Sequence, residues 1–452
     1  MTNKRNILGT SRSRMVFLWP FETKLTTYGN HLIVLFCFSV SFLVDVRRSA
    51  LFLLLVLFLI RGEWINRLTT TLRDPVLLSL VLYFLVHIIW LTGTQDWSYA
   101  KKVTHDAAFL LFPVLFATFI DKRYLPRMIG AYFLGMSISV LWAYGIWFEI
   151  LPPHVHDGGH GTPSDPTPVW NPIHWGFMLS ISISIGLLYV LHQKRMEYRT
   201  RLIMYLLLAA SAMMAFINWS RTGWILLLSL LCAVIFFRLR ASRGRALLLS
   251  CIAVILGITL AWNVSPNFRG KVIQTFDTVS TLIESNHFKG GIGWRAAIWQ
   301  YGLKNIDKYW MMGLGTGDHR NFMRNELARH EPDLVSSGIP LQHLHSEYLT
   351  AFMQFGVIGL LLFLNIIFQL WRYPHPDWIK RQSFRLLALG IGMYSLFDVF
   401  IIGLGSLLVS VTLISVGLKH YSATAQFSPL DGKQILGYGV TVGIFGAISA
   451  LG

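Results

Sequence analysis

Apolar residues run along this chain in long unbroken blocks separated by short polar connections. A helix needs about 20 apolar residues to cross a hydrocarbon layer roughly 30 Å thick. On that measure the blocks predict spans at 30–46, 48–61, 75–93, 104–120, 127–149, 173–192, 201–218, 222–238, 245–263, 347–371, 384–402 and 404–419, about twelve in all. The second is short, and Gly403 marks a tight turn between the last two. Residues 435–451 are apolar but glycine-rich and lack flanking charges, so they read as a peripheral tail. The expected fold is an all-α polytopic membrane protein. It divides into a cytoplasmic segment 1–29, transmembrane helices 1–9 over 30–263, an external helical loop 264–346, helices 10–12 over 347–419, and a tail 420–452.

The connections alternate in charge. One set carries Lys4, Arg5, Arg12, Arg14 and Lys24; Arg61, Arg67 and Arg73; Lys122, Arg123 and Arg127; Lys194, Arg195, Arg199 and Arg201; Arg238, Arg240, Arg243 and Arg245; and Arg372, Lys380, Arg381 and Arg385. The opposite short connections hold only Arg47, Arg48, Lys101, Lys102 and Arg221, and 151–172 has neither Lys nor Arg. By the positive-inside rule the first set is cytoplasmic, and 264–346 then lies outside. That loop is too long for a connector and too amphipathic to be disordered. Val272, Phe276, Val279 and Ile283 recur at helical spacing, as do Trp294, Ile298 and Tyr301, and then Phe322, Met323 and Leu327.

Composition agrees with the span pattern. Only 13% of the 452 residues are charged, where a soluble domain carries about a quarter. The mean hydropathy is +0.52. A net charge of +17 would suit nucleic acid, but its confinement to the connections points to the anionic lipids of the inner leaflet instead. Cys37, Cys232 and Cys251 all lie in apolar runs, which argues against a disulfide framework. No cleavable leader is expected, because 1–29 is polar and basic and no small-residue cleavage site follows the first apolar run.

Candidate chemistry gathers on the external side. Asn218-Trp219-Ser220-Arg221-Thr222-Gly223-Trp224 forms a short outward turn that holds Arg221 at the membrane edge. Arg221 reads either as a snorkelling arginine or as a phosphate ligand, since a guanidinium binds phosphate oxygens bidentately and keeps its charge. Arg295, in Gly293-Trp294-Arg295-Ala296-Ala297-Ile298-Trp299, reads as cation–π packing or as a second clamp near a helix N-terminus. Gly313-Leu314-Gly315-Thr316-Gly317-Asp318-His319 reads by default as a flexible turn. It is not a P-loop, because no strand precedes it and no Lys-Ser/Thr follows. In Gln342-His343-Leu344-His345-Ser346-Glu347-Tyr348-Leu349, a histidine at the mouth of a helix is either interface decoration or a general base. Glu347 competes for the base role and is equally suited to cap or orient. If the helix has already begun there, His343 faces another side. His154, His156, Asp157 and His160 form a His-rich tract with no fixed metal geometry.

Taken together, Trp219-Ser220-Arg221-Thr222-Gly223, then Trp294-Arg295, the turn 313–317, and His345-Ser346-Glu347-Tyr348-Leu349 resemble the signature of the O-antigen ligase/polymerase superfamily of membrane glycosyltransferases. The resemblance is close over 205–371 and general over the first five spans. Ser346 stands where many members have Asn. The resemblance implies a GT-C-like O-antigen ligase of the bacterial inner membrane with its active site facing the periplasm. Such an enzyme moves glycan from undecaprenyl pyrophosphate to lipid A-core, with inversion and without metal or other cofactor. The residue roles it implies are catalytic for His345, Arg221 and Arg295. Trp219, Trp294, Gly315, Gly317, His343 and Glu347 would line the diphosphate and glycan site.

The nearest rival is an O-antigen polymerase, with the same donor and a lipid-linked glycan as acceptor. A capsule or protein-glycosylating ligase is a variant of the same reading. A transporter would show inverted repeats and several ionisable groups at mid-span. Here only His87, Asp106 and Asp398 qualify, and no repeat is visible. A scaffold would leave the external arginines and histidine unexplained.

Overall fold

The computed structural model describes residues 9–152, 154–156, 159–239, 242–285, 288, 290–336, 343–402 and 404–418. The tail 435–451, Gln342, Gly403 and Asp157 lie outside them, as do the side chains of His154, His156 and His160.

Helix α1 (Gly9–Ser39) packs on α2 (Val44–Arg61), and α3 (Trp64–Thr71) bends off α2 by 116°. Helix α4 (Pro75–Ile89) starts where the Asp74 carboxylate accepts the N–H groups of Val76 and Leu77, with Pro75 in the first turn. The span expected over 104–120 is not one helix. It is divided among α5 (Trp97–Ala108), a 3-10 turn and α6 (Phe112–Ala117), because Pro113 lacks the N–H that would continue the ladder. After α7 (Leu125–Trp147) comes a small antiparallel hairpin, β1 (His154–His156) and β2 (Gly159–Gly161), with Val155 opposite His160. Then follow α8 (Pro172–His192), α9 (Tyr198–Ile217), α10 (Arg221–Arg238) and α11 (Arg243–Val264). The long loop is helical, with α12 (Pro266–Ser285), α13 (Gly290–Lys304), α14 (His319–His330) and α15 (Pro332–Ser336). The chain then enters α16 (Glu347–Arg372), α17 (Trp378–Phe397) and α18 (Leu404–Gly417).

Among the described residues seven helices are long and apolar enough to cross a membrane, or eight if the bent α2–α3 pair is one span. Helix α17 opens with Lys380, Arg381 and Arg385, and α18 has only 14 residues, so neither is among them. The protein is an all-α polytopic membrane protein apart from the hairpin.

Helix α8 is the centre of the bundle, with 72% of its apolar stretch buried, against 11% for α11. Gly176 lets α8 approach α10, since a methyl group there would stand 3.1 Å from the Cα of Gly223. Ser180, Ser182 and Ser184 satisfy their hydroxyls on carbonyls one turn back, at 2.6–2.7 Å, so small polar residues pack in an apolar interior without orphaned donors. On the periphery, Leu202, Ile203 and Leu206 of α9 and Leu247, Leu248, Ile255 and Leu256 of α11 are exposed, as a lipid-facing surface requires.

The two ends of the bundle differ. At one end Glu22 pairs with Arg61 (3.2 Å) and Arg67 (2.7 Å), Arg61 donates to the Thr118 carbonyl, and the Tyr373 hydroxyl donates to Asp74. At the other, α13–α15 and the start of α16 build a second core around Ala297, Ile298, Tyr301, Met323, Leu327, Leu344, Leu349 and Met353.

Candidate active site

The turn 218–220 is held from several directions. Asn218 donates to the Pro172 carbonyl (3.1 Å) and accepts the N–H of Ser220 (3.1 Å). Ser220 caps α10 through the N–H of Gly223 (2.9 Å), and the Trp224 indole donates back to the Ala215 and Asn218 carbonyls. Arg221 is therefore the first residue of α10 on a rigid corner. Its guanidinium reaches across to α12 and donates to Gln274 Oε1 at 3.0 Å. Trp219 carries the Lys271 ammonium over its ring, 4.5 Å from the centroid.

Helix α13 brings Arg295 and, one turn later, Trp299. The Trp299 indole donates to the Leu344 carbonyl (3.2 Å), and the Leu344 side chain is buried in the second core. This contact pins the peptide between the two histidines onto the helix that bears Arg295. Arg295 lies within electrostatic reach of both His345 and Arg221, and its buried Nε has no hydrogen-bond partner among the described residues. Trp294 is half-buried and packs on the second core.

His345 sits at φ 51°, a left-handed conformation that few non-glycine residues adopt and that costs of order 1–3 kcal/mol unless the surroundings enforce it. Here Leu344 is buried on one side, and on the other Ser346 caps α16 and donates to the Ser395 carbonyl (3.1 Å). Asp398, the C-cap of α17, faces both histidines. Its Oδ1 is 3.4 Å from His343 Nε2 and 3.8 Å from His345 Nδ1. The imidazoles are 4.4 Å apart at 63°. His343 thus shares a carboxylate with His345 rather than facing another side, because no helix has begun at 343–346. Burial pushes the His345 pKa below the ordinary imidazole value, with the charges of His343 and Arg295 adding to the effect and Asp398 opposing it.

Glu347 is fully buried. Its Oε1 accepts from the Tyr83 hydroxyl (2.7 Å), and Oε2 accepts from the N–H groups of Phe400 (3.0 Å) and Ile401 (3.2 Å), while its own N–H donates to the Asp398 carbonyl. It ties α4 and the α17–α18 turn to α16, which positions Asp398. The glycine turn plays a different part. The Gly315 N–H donates to the Gln354 carbonyl (3.1 Å) and the Gly317 N–H to the Gln354 amide oxygen (2.8 Å), while Asp318 accepts from the N–H groups of Gln95 and Asp96. Gly315 and Gly317 hold the outer loop to α16 and to the start of α5, and both their N–H groups are already taken.

Three residues that sequence reasoning did not assign to the site also reach it. Asp398 reads in sequence only as an ionisable residue at mid-span, whereas it caps the end of α17. His174, in the first turn of α8, is hydrogen-bonded through Nδ1 to the Tyr394 hydroxyl (2.5 Å) and lies within reach of Asp398 and His343. Lys271 stands beside Arg221. Among the described residues, His343, His345 and Asp398 are the one group that could hold a metal ion, with ligand atoms within 4.8 Å of one another.

The arrangement is a mouth at the end of the bundle that carries the second core, where two guanidinium groups lie within electrostatic reach of one another and of an imidazole–carboxylate cluster. It suits the binding of an anion next to a group that can take up a proton. A family model described as O-Antigen ligase matches residues 204–364. No curated protein matches the chain. The matched segment runs from α9 into α16 and carries Arg221, Arg295 and His345. Over this segment, about a third of its length, the chain is similar to the O-antigen ligase family, a likeness that supports a ligase- or polymerase-like membrane activity.

Proposed function

We propose that the chain is an O-antigen ligase that transfers glycan from undecaprenyl pyrophosphate to lipid A-core at the periplasmic face of the bacterial inner membrane. The observation that carries the reading is the meeting of Arg221, Arg295 and His345, from three separate parts of the sequence, at one mouth. His345 removes the proton of the acceptor hydroxyl as its oxygen bonds to the anomeric carbon from the face opposite the leaving group. The carbon–oxygen bond to diphosphate breaks, its electron pair stays on the phosphate oxygen, and the configuration inverts. Arg221 and Arg295 stabilise that oxygen's growing charge, a task a guanidinium performs at any physiological pH. Asp398 orients His345 and supports its positive charge after proton transfer.

The reaction in this reading needs no metal. The competing use of His343, His345 and Asp398 as ligands predicts that transfer by purified enzyme stops in EDTA; metal-free transfer predicts that it continues at near the full rate. We extend the reading to about twelve spans in a GT-C-like arrangement, counting α1, the broken α5–α6 segment, α17 and α18 as membrane-embedded, with the segment boundaries 29/30, 263/264, 346/347 and 419/420.

Deleting the gene and resolving the lipopolysaccharide by gel tests ligase against polymerase. A ligase leaves lipid A-core without any ladder and accumulates lipid-linked polymer. A band carrying a single repeat means that the same site works as a polymerase.

A further inference from the structure

The cations at the mouth form a row. His345 interacts electrostatically with Arg295, Arg295 with Arg221, and Arg221 with Lys271. The last two are joined by geometry as well. Gln274 Oε1 accepts from Arg221 Nη2 at 3.0 Å and from Lys271 Nζ at 3.3 Å, so one neutral amide oxygen holds two positive groups side by side. Helix α12 has the spacing for this, with Lys271 and Gln274 at i and i+3 on one face. Trp219 covers the Lys271 ammonium from the other side. Asp165 also attracts Lys271. Burial and the Arg221 charge push the Lys271 pKa down, the signature of a cation held close to its like. Two like charges fixed around a neutral acceptor are an unfavourable arrangement that a bound polyanion would relieve.

The order of the row assigns its ends. Sugar transfer takes place at His345, so the sugar-side phosphate of the donor belongs with Arg295, and the lipid-side phosphate belongs with Arg221 and its neighbour. We propose that Lys271, held by Gln274 and Trp219, binds the lipid-side phosphate together with Arg221, and so makes the site select diphosphate-linked over monophosphate-linked prenyl lipids. A lipid that carries its sugar through one phosphate, with that sugar at His345, places the phosphate at Arg295 and leaves Lys271 without a phosphate partner. The proposal rests on the reading of the mouth as a prenyl diphosphate donor site.

The test is binding of a farnesyl lipid carrying one sugar through a diphosphate, and of its counterpart carrying the same sugar through a monophosphate, to the purified full-length protein in nanodiscs. The wild type should prefer the diphosphate. Lys271→Met should weaken the diphosphate by about tenfold, the size of one charge-assisted contact, and leave the monophosphate unchanged. Lys271→Arg should keep the preference. Lys271 lies half-buried on an extramembrane helix, and thermal unfolding of each variant confirms the fold. Diphosphate binding by Lys271→Met equal to wild type, or equal weakening of both ligands, overturns the role of Lys271 while the donor reading stands. A wild type that binds neither lipid, or an Arg221→Ala variant that binds the diphosphate as well as wild type, overturns the donor reading itself.

Discussion

His345 is the residue on which most of the local structure converges. Trp299 fixes the peptide before it, Ser346 the helix cap after it, and Asp398 faces its Nδ1 edge at 3.8 Å. A positioned base contributes about 10²–10⁴-fold, so His345→Ala should nearly abolish transfer while donor binding survives on the arginines. His343→Ala should be milder, and full activity of His345→Ala would end the base assignment. The pH profile gives an independent readout. Because burial holds the His345 pKa below its ordinary value near 6.5, the neutral, proton-accepting form persists into more acidic solution. The acidic limb of kcat against pH should therefore lie below that value. Asp398 attracts the imidazolium and opposes the shift, so Asp398→Asn should move the limb further down. A limb above 6.5, or one moving upward in Asp398→Asn, would contradict this geometry.

At the scale of elements, the outer loop is sewn into a break in a span. The stretch expected as one helix over 347–371 is interrupted at Gly356 (φ 64°, ψ −155°). Around the break the Leu314 N–H donates to the Met353 carbonyl (2.8 Å), and the Val357 N–H to the Trp310 carbonyl (2.9 Å). A methyl group on Gly356 would stand 2.2 Å from the Met311 carbonyl oxygen, and one on Gly313 equally close to that of Gln354. Both glycines have positive φ, so close approach and conformation exclude a side chain together. Gly356→Ala should therefore lower the melting temperature in detergent and speed proteolysis within 306–316. Gly130→Ala, in open space on α7, should not. Equal melting of the two variants would mean that the break is not held by the strap. Helix α12 differs from expectation in another way. Of its apolar positions, Val272 packs on the bundle, but Phe276 and Ile283 are more than 70% exposed, so its periodicity described a helix without describing a buried face.

For the whole molecule, the arrangement separates a basic end from a reactive end. The connections bearing Arg61, Arg67 and Arg73 lie with those of Thr118 and Tyr373, and Lys122 is within electrostatic reach of Lys380. If the basic end is cytoplasmic, a cysteine at Ser280 on α12 should react with an impermeant reagent added outside intact cells, and one at Lys194 should not. Both sites are exposed, and the variants belong in a background lacking Cys37, Cys232 and Cys251. The reverse pattern would move the proposed chemistry to the cytoplasm.

Sequence alone determined whatever depends on neighbours along the chain. The apolar blocks reveal most spans because a lipid-embedded helix must satisfy its backbone internally over a fixed length. The Lys/Arg alternation gives them an expected orientation, and Arg221, Arg295 and His345 stand out as polar groups on the side it places outside. Tertiary structure decided the rest. Asp398 joins the histidines only because Glu347 ties the α17–α18 turn to the start of α16, and Lys271 joins Arg221 only because α12 folds back over the α9–α10 corner. The glycine turn reads in sequence as a loop and in three dimensions as a clasp, since its partner, Gln354, comes from a helix whose break no local pattern announces. Each of these depends on contacts between residues far apart in the chain, and periodicity carries no information about such pairs.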